Sequence, residues 1–246
     1  IGPWAGYFVG WTYWLCWITI GIADLSAIIY YLQFFNNGLP FTPGEGVLIS
    51  IASIVFIMGL NLATVKLFGE MEFWFALIKV AAIIIFLVIG VLMVVGLFPG
   101  MDAVGTSNID GVGFMPNGIG GIATAMLAVA FAFGGIELVT IAAAESENPK
   151  EAVSAAISSA IWRIAVFYIG SVLLIVLLLP YDQIAGADSA AESPFTLVLD
   201  RANVPGAATI MEVVIALALL SACNAQLYGN SRLLYSMARG GDAPSY

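Results

Sequence analysis

The chain has 246 residues, of which 61% are hydrophobic and 9% charged, with a formal net charge of -9 and no histidine. At a mean hydropathy of +1.03, a soluble fold has no means of hiding so much apolar surface, so lipid is read as the solvent for most of the chain. Seven scattered Lys and Arg supply no basic face for nucleic acid, and the missing histidine excludes histidine catalysis and His-ligated metals.

Six apolar stretches are long enough to cross a bilayer, which takes roughly 20 helical residues. They run over Trp4–Phe34, Val47–Val65, Phe73–Leu97, Ile119–Ala144, Ala156–Leu179 and Ala207–Tyr235. The fold class expected is an all-α polytopic membrane protein, with residues 1–246 forming one transmembrane domain. The first stretch is long enough to tilt or to extend past the membrane. It opens on Ile1-Gly2-Pro3-Trp4 with no charged leader. A cleavable signal peptide is therefore not expected, and the start is expected to lie within a longer protein.

The joints are polar and rich in helix breakers. Asn36–Pro40 reads as a turn, Pro99–Asn117 as a loop, and Asn148-Pro149 as a helix stop. Within the segment 181–206, read as an extracellular loop, Ser193-Pro194 has the pattern of an N-cap followed by a first-turn proline. A short helix over Phe195–Ala202 is predicted from it.

Positive charges set the expected orientation. Lys66, Lys150, Arg163, Arg232 and Arg239 fall in alternate joints. The remaining joints carry only Arg201, and with it Glu45, Asp102, Asp110, Asp182, Asp188, Glu192 and Asp200. Both ends of the chain are accordingly expected on the cytoplasmic side. Gly2, Gly6 and Gly10 form a smooth ridge expected to pack against another helix of the same protein. Cys16 and Cys223 lie in apolar runs and are read as inert core residues.

A charge inside hydrocarbon persists only if it faces a cavity or a partner. Four such residues stand in or near the spans: Asp24, Lys79, Glu137 and Glu212. Glu137 follows Gly134-Gly135 in the middle of the fourth span. A glycine pair weakens a helix where no water repairs it, and a break of that kind survives where it lines a site. Taken on residues alone, Lys79 reads as snorkelling to the cytoplasmic surface, Asp24 as facing either a polar interior or the outer water, and Glu212 as wet. Ser221, Asn224, Gln226 and Asn230 give the sixth span a polar stripe that faces the bundle core or a pathway.

Several segments then resemble bacterial amino acid permeases of the amino acid–polyamine–organocation superfamily. Gly2–Trp14 (GPWAGYFVGWTYW) is similar to that family's third helix. Asn61–Lys79 (NLATVKLFGEMEFWFALIK) is similar to its fifth helix and the loop before it. Phe131–Glu137 (FAFGGIE), followed by Ala144-Glu145 and Asn148-Pro149-Lys150, resembles its sixth helix and the loop after it. Ser231–Tyr235 (SRLLY) resembles the end of the eighth. The branches that transport D-serine, D-alanine and glycine, or γ-aminobutyrate, look most similar.

The resemblance implies a fold of two inverted five-helix repeats, of which this chain would hold the third to eighth helices. It implies that Phe131 closes over a bound amino acid and that Ala132, Phe133, Gly134 and Gly135 line the unwound sixth helix. Proton coupling would fall to Lys79 and Glu137, with Asp24 where the family more often has glutamate. From their spacing rather than from the resemblance, Ser221 and Asn224 are the candidates for a polar pathway. No cofactor and no metal are implied, only a proton gradient, an amino acid substrate and the inner (plasma) membrane bilayer. The expected function is uptake of a small or modest neutral amino acid by proton symport with alternating access.

An exchanger and a non-transporting substrate sensor are the nearest rivals. An intramembrane protease built on Asp182 and Asp242 is disfavoured, since the two would lie at opposite faces. A channel lacks its charged rings.

Overall fold

The computed structural model describes residues 2–36, 38–62, 65–110, 115–134, 148–184 and 193–244. The helices are α1 (Pro3–Leu32), α2 (Pro43–Leu62), α3 (Val65–Val94), α4 (Gly118–Ala132), α5 (Pro149–Leu178), α6 (Tyr181–Ile184), α7 (Pro194–Arg201) and α8 (Ala207–Gly240). Five of them, α1, α2, α3, α5 and α8, are long and apolar enough to cross a membrane. Large apolar side chains stand outward along them and along α4, Ile119 at 81% exposed and Leu127 at 75%. In water that display would drive aggregation; in lipid it is the normal exterior. The protein is an all-α polytopic membrane protein.

The chain divides into two compact units, Ile1–Lys79 with Glu212–Tyr246, and Val80–Met211. In the first, α1, α2 and α8 share a core of Ile28, Ile57 and Cys223. Trp11 Nε1 donates to the Asp242 carbonyl at 3.1 Å, tying the start of α1 to the end of α8. Of the expected glycine ridge, only Gly10 is in close contact: a Cβ there would meet Met237 Sδ at 3.2 Å, whereas at Gly2 and Gly6 it would meet nothing within 4 Å. α2 begins with a capping box. Thr42 N and Oγ1 both donate to Glu45 Oε2 at 2.8 Å, with Pro43 in the first turn.

In the second unit, Phe86 and Met93 of α3 pack with Leu174 and Leu178 of α5 and Val198 of α7. Gly90 allows that approach, because a Cβ would stand 2.9 Å from Leu174 Cδ1. After α3 the chain turns back sharply. Gly96 has φ 74°, and a Cβ on it would lie 2.8 Å from that of Ala103. The returning strand of chain is held by Val104 N donating to Met93 O at 3.3 Å and Gly105 N to Val94 O at 3.2 Å. Ser193 caps α7 through Thr196 N at 3.4 Å, and Pro194 opens its first turn. Arg201 at the end of α7 donates to the Leu178 carbonyl and, at 2.8 Å, to Gln183 Oε1.

Several helix ends lie beyond the apolar stretches read from the sequence, α2 starting at Pro43 rather than Val47, α5 at Pro149 rather than Ala156, and α8 ending at Gly240 rather than Tyr235. α3 begins at Val65 rather than Phe73, because the charged residues before Phe73 form helix rather than loop. α4 ends at Ala132 and is followed by a turn at Phe133-Gly134; the expected span from Gly135 to Ala144 lies outside the described residues.

Candidate functional site

In the first unit a chain of polar groups links three helices. Lys79 is the fifteenth residue of the 30-residue α3, and Ser221 the fifteenth of the 34-residue α8. Lys79 Nζ donates to Ser221 Oγ at 2.8 Å. Ser221 Oγ in turn donates to Glu72 Oε1 at 2.7 Å. The other carboxylate oxygen, Glu72 Oε2, accepts from Asn224 Nδ2 at 3.1 Å. Asn224 Oδ1 accepts from Asn61 Nδ2 of α2 at 2.8 Å, and Asn61 Nδ2 also donates to the Ile57 carbonyl at 3.0 Å. Ser221 and Asn224 are buried, at 1% and 0% exposed.

The local sequence explains the convergence. Glu72 and Lys79 are seven residues apart, two helical turns, so both project from one face of α3. Ser221 and Asn224 are three apart and share one face of α8. Lys79 is therefore held by a mid-helix hydroxyl, which corrects the snorkelling reading. With α3 extended back to Val65, the Lys79 Cα stands about 21 Å of helix from the start.

A second cluster joins α1 to α8. Gln226 Nε2 donates to Asp24 Oδ2 at 2.6 Å. Asp24 is thus aimed at α8 rather than at open water. Beside it lies a largely apolar cavity of about 230 Å³, whose lining includes Trp17, Gly21, Ile57, Cys223, Gln226 and Asn230. Trp17 Nε1, Gln226 Oε1 and Asn230 Oδ1 are buried without a protein partner, one donor and two acceptors. Glu212, read from sequence as wet, is 2% exposed. It sits in the second turn of α8, whose neighbouring Met211 is also buried.

The residues expected at the unwound helix belong to the second unit. α4 ends at Ala132, and Phe133-Gly134 form a turn. The Ala132 carbonyl, one of the groups a helix end leaves without an internal partner, accepts from Tyr168 Oη at 3.2 Å. The Phe133 and Tyr168 rings meet edge to face, with centroids 5.5 Å apart. Tyr168 comes from a π-helical stretch of α5, Ile164–Ile169, a type of irregularity common at functional sites. The side chain of Phe131, and Gly135 and Glu137 altogether, lie outside the described residues.

Sequence reasoning missed Glu72, Asn61 and Tyr168. The spacing of Glu72 to Lys79 was available as a signal once the helix was extended; Tyr168 carried none.

A family model described as amino acid permease matches residues 1–246. An aromatic amino acid transport protein of Corynebacterium glutamicum is 53% identical over 244 residues, 99% of this chain and 51% of that protein. A γ-aminobutyric acid permease of Bacillus subtilis is 41% identical, over 99% of this chain and 50% of that protein. A D-serine/D-alanine/glycine transporter of Escherichia coli is 39% identical, over 99% and 51%. The chain spans about half the length of the curated relatives it matches.

Proposed function

Because the chain belongs to the amino acid permease family, we propose that it carries an uncharged amino acid together with a proton into the cell, by alternating access across a bacterial plasma membrane. The observation that carries this reading is Lys79, midway along α3 and linked through the Ser221 hydroxyl to Glu72. A cation that far from a helix end is expensive to keep in lipid, and proton relays are a main reason membrane proteins keep such charges. Lys79 holds the coupling proton; Glu137 and Asp24 are the further candidates. The amino acid binds at the end of α4, at Ala132, Phe133 and Gly134, and the family resemblance adds Phe131 and Gly135 to that site. Free backbone groups at a helix break suit an α-carboxylate or an ammonium. Both ends of the chain face the cytoplasm.

An aromatic side chain is the first substrate we propose, since the relative at 53% identity is named as an aromatic amino acid transport protein. A small neutral amino acid is the second, supported by the small residues Ala132 and Gly134 and by the relative named for D-serine, D-alanine and glycine.

The test is labelled uptake by the full-length gene product in liposomes, with and without an inward proton gradient. Competitors are aromatic, small neutral, D- and γ-amino acids. Saturable uptake accelerated by the gradient, and competed most strongly by aromatic amino acids, is expected. Uptake indifferent to the gradient would make the protein an exchanger or uniporter and remove the proton role from Lys79. Binding without uptake would make it a sensor.

A further inference from the structure

We infer that Glu72 is the carboxylate that exchanges a proton with Lys79, by way of the Ser221 hydroxyl, and that Asn224 and Asn61 hold it in position for that exchange. The inference rests on the proton-coupled reading above and gives the coupling site its second half.

The hydrogen-bond chain has one direction. A lysine ammonium only donates, so Ser221 Oγ must accept from Lys79. Serine has a single hydroxyl proton, and that proton is aimed at Glu72 Oε1. A transfer then breaks one Lys79 N–H bond as an O–H bond forms on Ser221. The original Ser221 O–H bond breaks as one forms on Glu72 Oε1. Atoms and charge balance: the pair passes from ammonium and carboxylate to amine and carboxylic acid, and the serine is regenerated. A proton arriving from outside restores the ammonium while the acid stays loaded, so the pair takes up one proton in total.

The surroundings fit a relay better than a simple anchor. Only Oε1 of Glu72 faces the serine. Oε2 is taken by Asn224, whose amide orientation is set by Asn61, itself set by the Ile57 carbonyl. The carboxylate is thereby held with one oxygen on the proton path. α2 and α8 bring only neutral groups to this cluster, Asn61, Ser221 and Asn224. Among the described residues its titratable members are Glu72 and Lys79, both from α3. Asp24 is engaged by Gln226 instead.

The experiment compares two transport modes of the full-length gene product in proteoliposomes, with labelled L-phenylalanine or whichever panel amino acid the wild type takes best. One mode is accumulation driven by an inward proton gradient. The other is counterflow, which swaps labelled for unlabelled substrate without net proton movement. Glu72→Gln and Ser221→Ala are expected to lower gradient-driven accumulation by about a hundredfold, the scale of a lost proton-transfer group, with counterflow close to wild type. Glu72→Asp and Ser221→Thr should restore part of the accumulation. Wild-type accumulation in Glu72→Gln would overturn the inference. So would loss of counterflow together with accumulation, which marks a structural anchor. If accumulation is lost in Lys79→Met but kept in Glu72→Gln, this inference alone fails. If the wild type ignores the gradient, the proton reading fails and takes this inference with it.

Discussion

Lys79 and Glu72 lie two turns apart on one helix and share a single hydroxyl, that of Ser221 on another. A lysine and a glutamate at that spacing do not reach each other as an i, i+4 pair does. The interposed serine makes the contact conditional on where α8 stands.

The buried amide beside this cluster sets its rigidity. Asn224→Ala leaves Glu72 Oε2 and Asn61 Nδ2 each short of a partner. A loss of about 1–2 kcal/mol is expected for two such part-buried groups, read as a fall in the thermal midpoint of the detergent-solubilised protein. Asn224→Asp places a second carboxylate against Glu72 and should abolish gradient-driven uptake.

Gly21 keeps the Asp24 cluster intact. A Cβ there would stand 3.1 Å from Gln226 Oε1, so Gly21→Ala must push the amide that holds Asp24. Uptake should fall severalfold. Gly59→Ala, whose Cβ meets nothing within 4 Å, is the control and should leave uptake unchanged.

Tyr168 makes two separable contacts with the end of α4. Tyr168→Phe removes the bond to the Ala132 carbonyl and keeps the ring against Phe133; the expected cost is about 1 kcal/mol. Tyr168→Ala removes both, adding about 0.5–1.5 kcal/mol for the ring pair. If the end of α4 forms part of the substrate site, KM rises in that order while wild-type-like expression is kept. An unchanged KM in Tyr168→Ala would detach this corner from binding.

The turn after α3 needs a glycine for folding. Gly96→Ala combines a left-handed backbone, which costs a non-glycine residue about 1–2 kcal/mol, with a Cβ 2.8 Å from that of Ala103. A lower thermal midpoint with normal KM in the surviving protein is expected.

Hydropathy makes the helices of this protein readable, because a lipid-facing span has few sequence alternatives. It is a poorer guide to where a helix starts. The segment before Phe73 contains Lys66, Glu70 and Glu72, and charge there reads as loop, yet the helix begins at Val65. That single displacement hid Glu72 and made Lys79 look close enough to the surface to snorkel. The partner of Asp24 was not readable at all, since Gln226 lies 202 positions away and only packing brings it near. The π-helical stretch that delivers Tyr168 has no residue signature. Its extra residue per turn is a property of how α5 is packed rather than of which side chains it carries.

α8 has one further property. Ser221 and Asn224 bind toward α3, whereas Gln226 binds toward α1. Five residues along a helix correspond to about 140° around its axis, so the two sets of bonds grip the rod from well-separated directions. Turning α8 about its long axis by a fraction of a turn would displace Ser221, Asn224 and Gln226 at once, so both sets of bonds share one rotational coordinate.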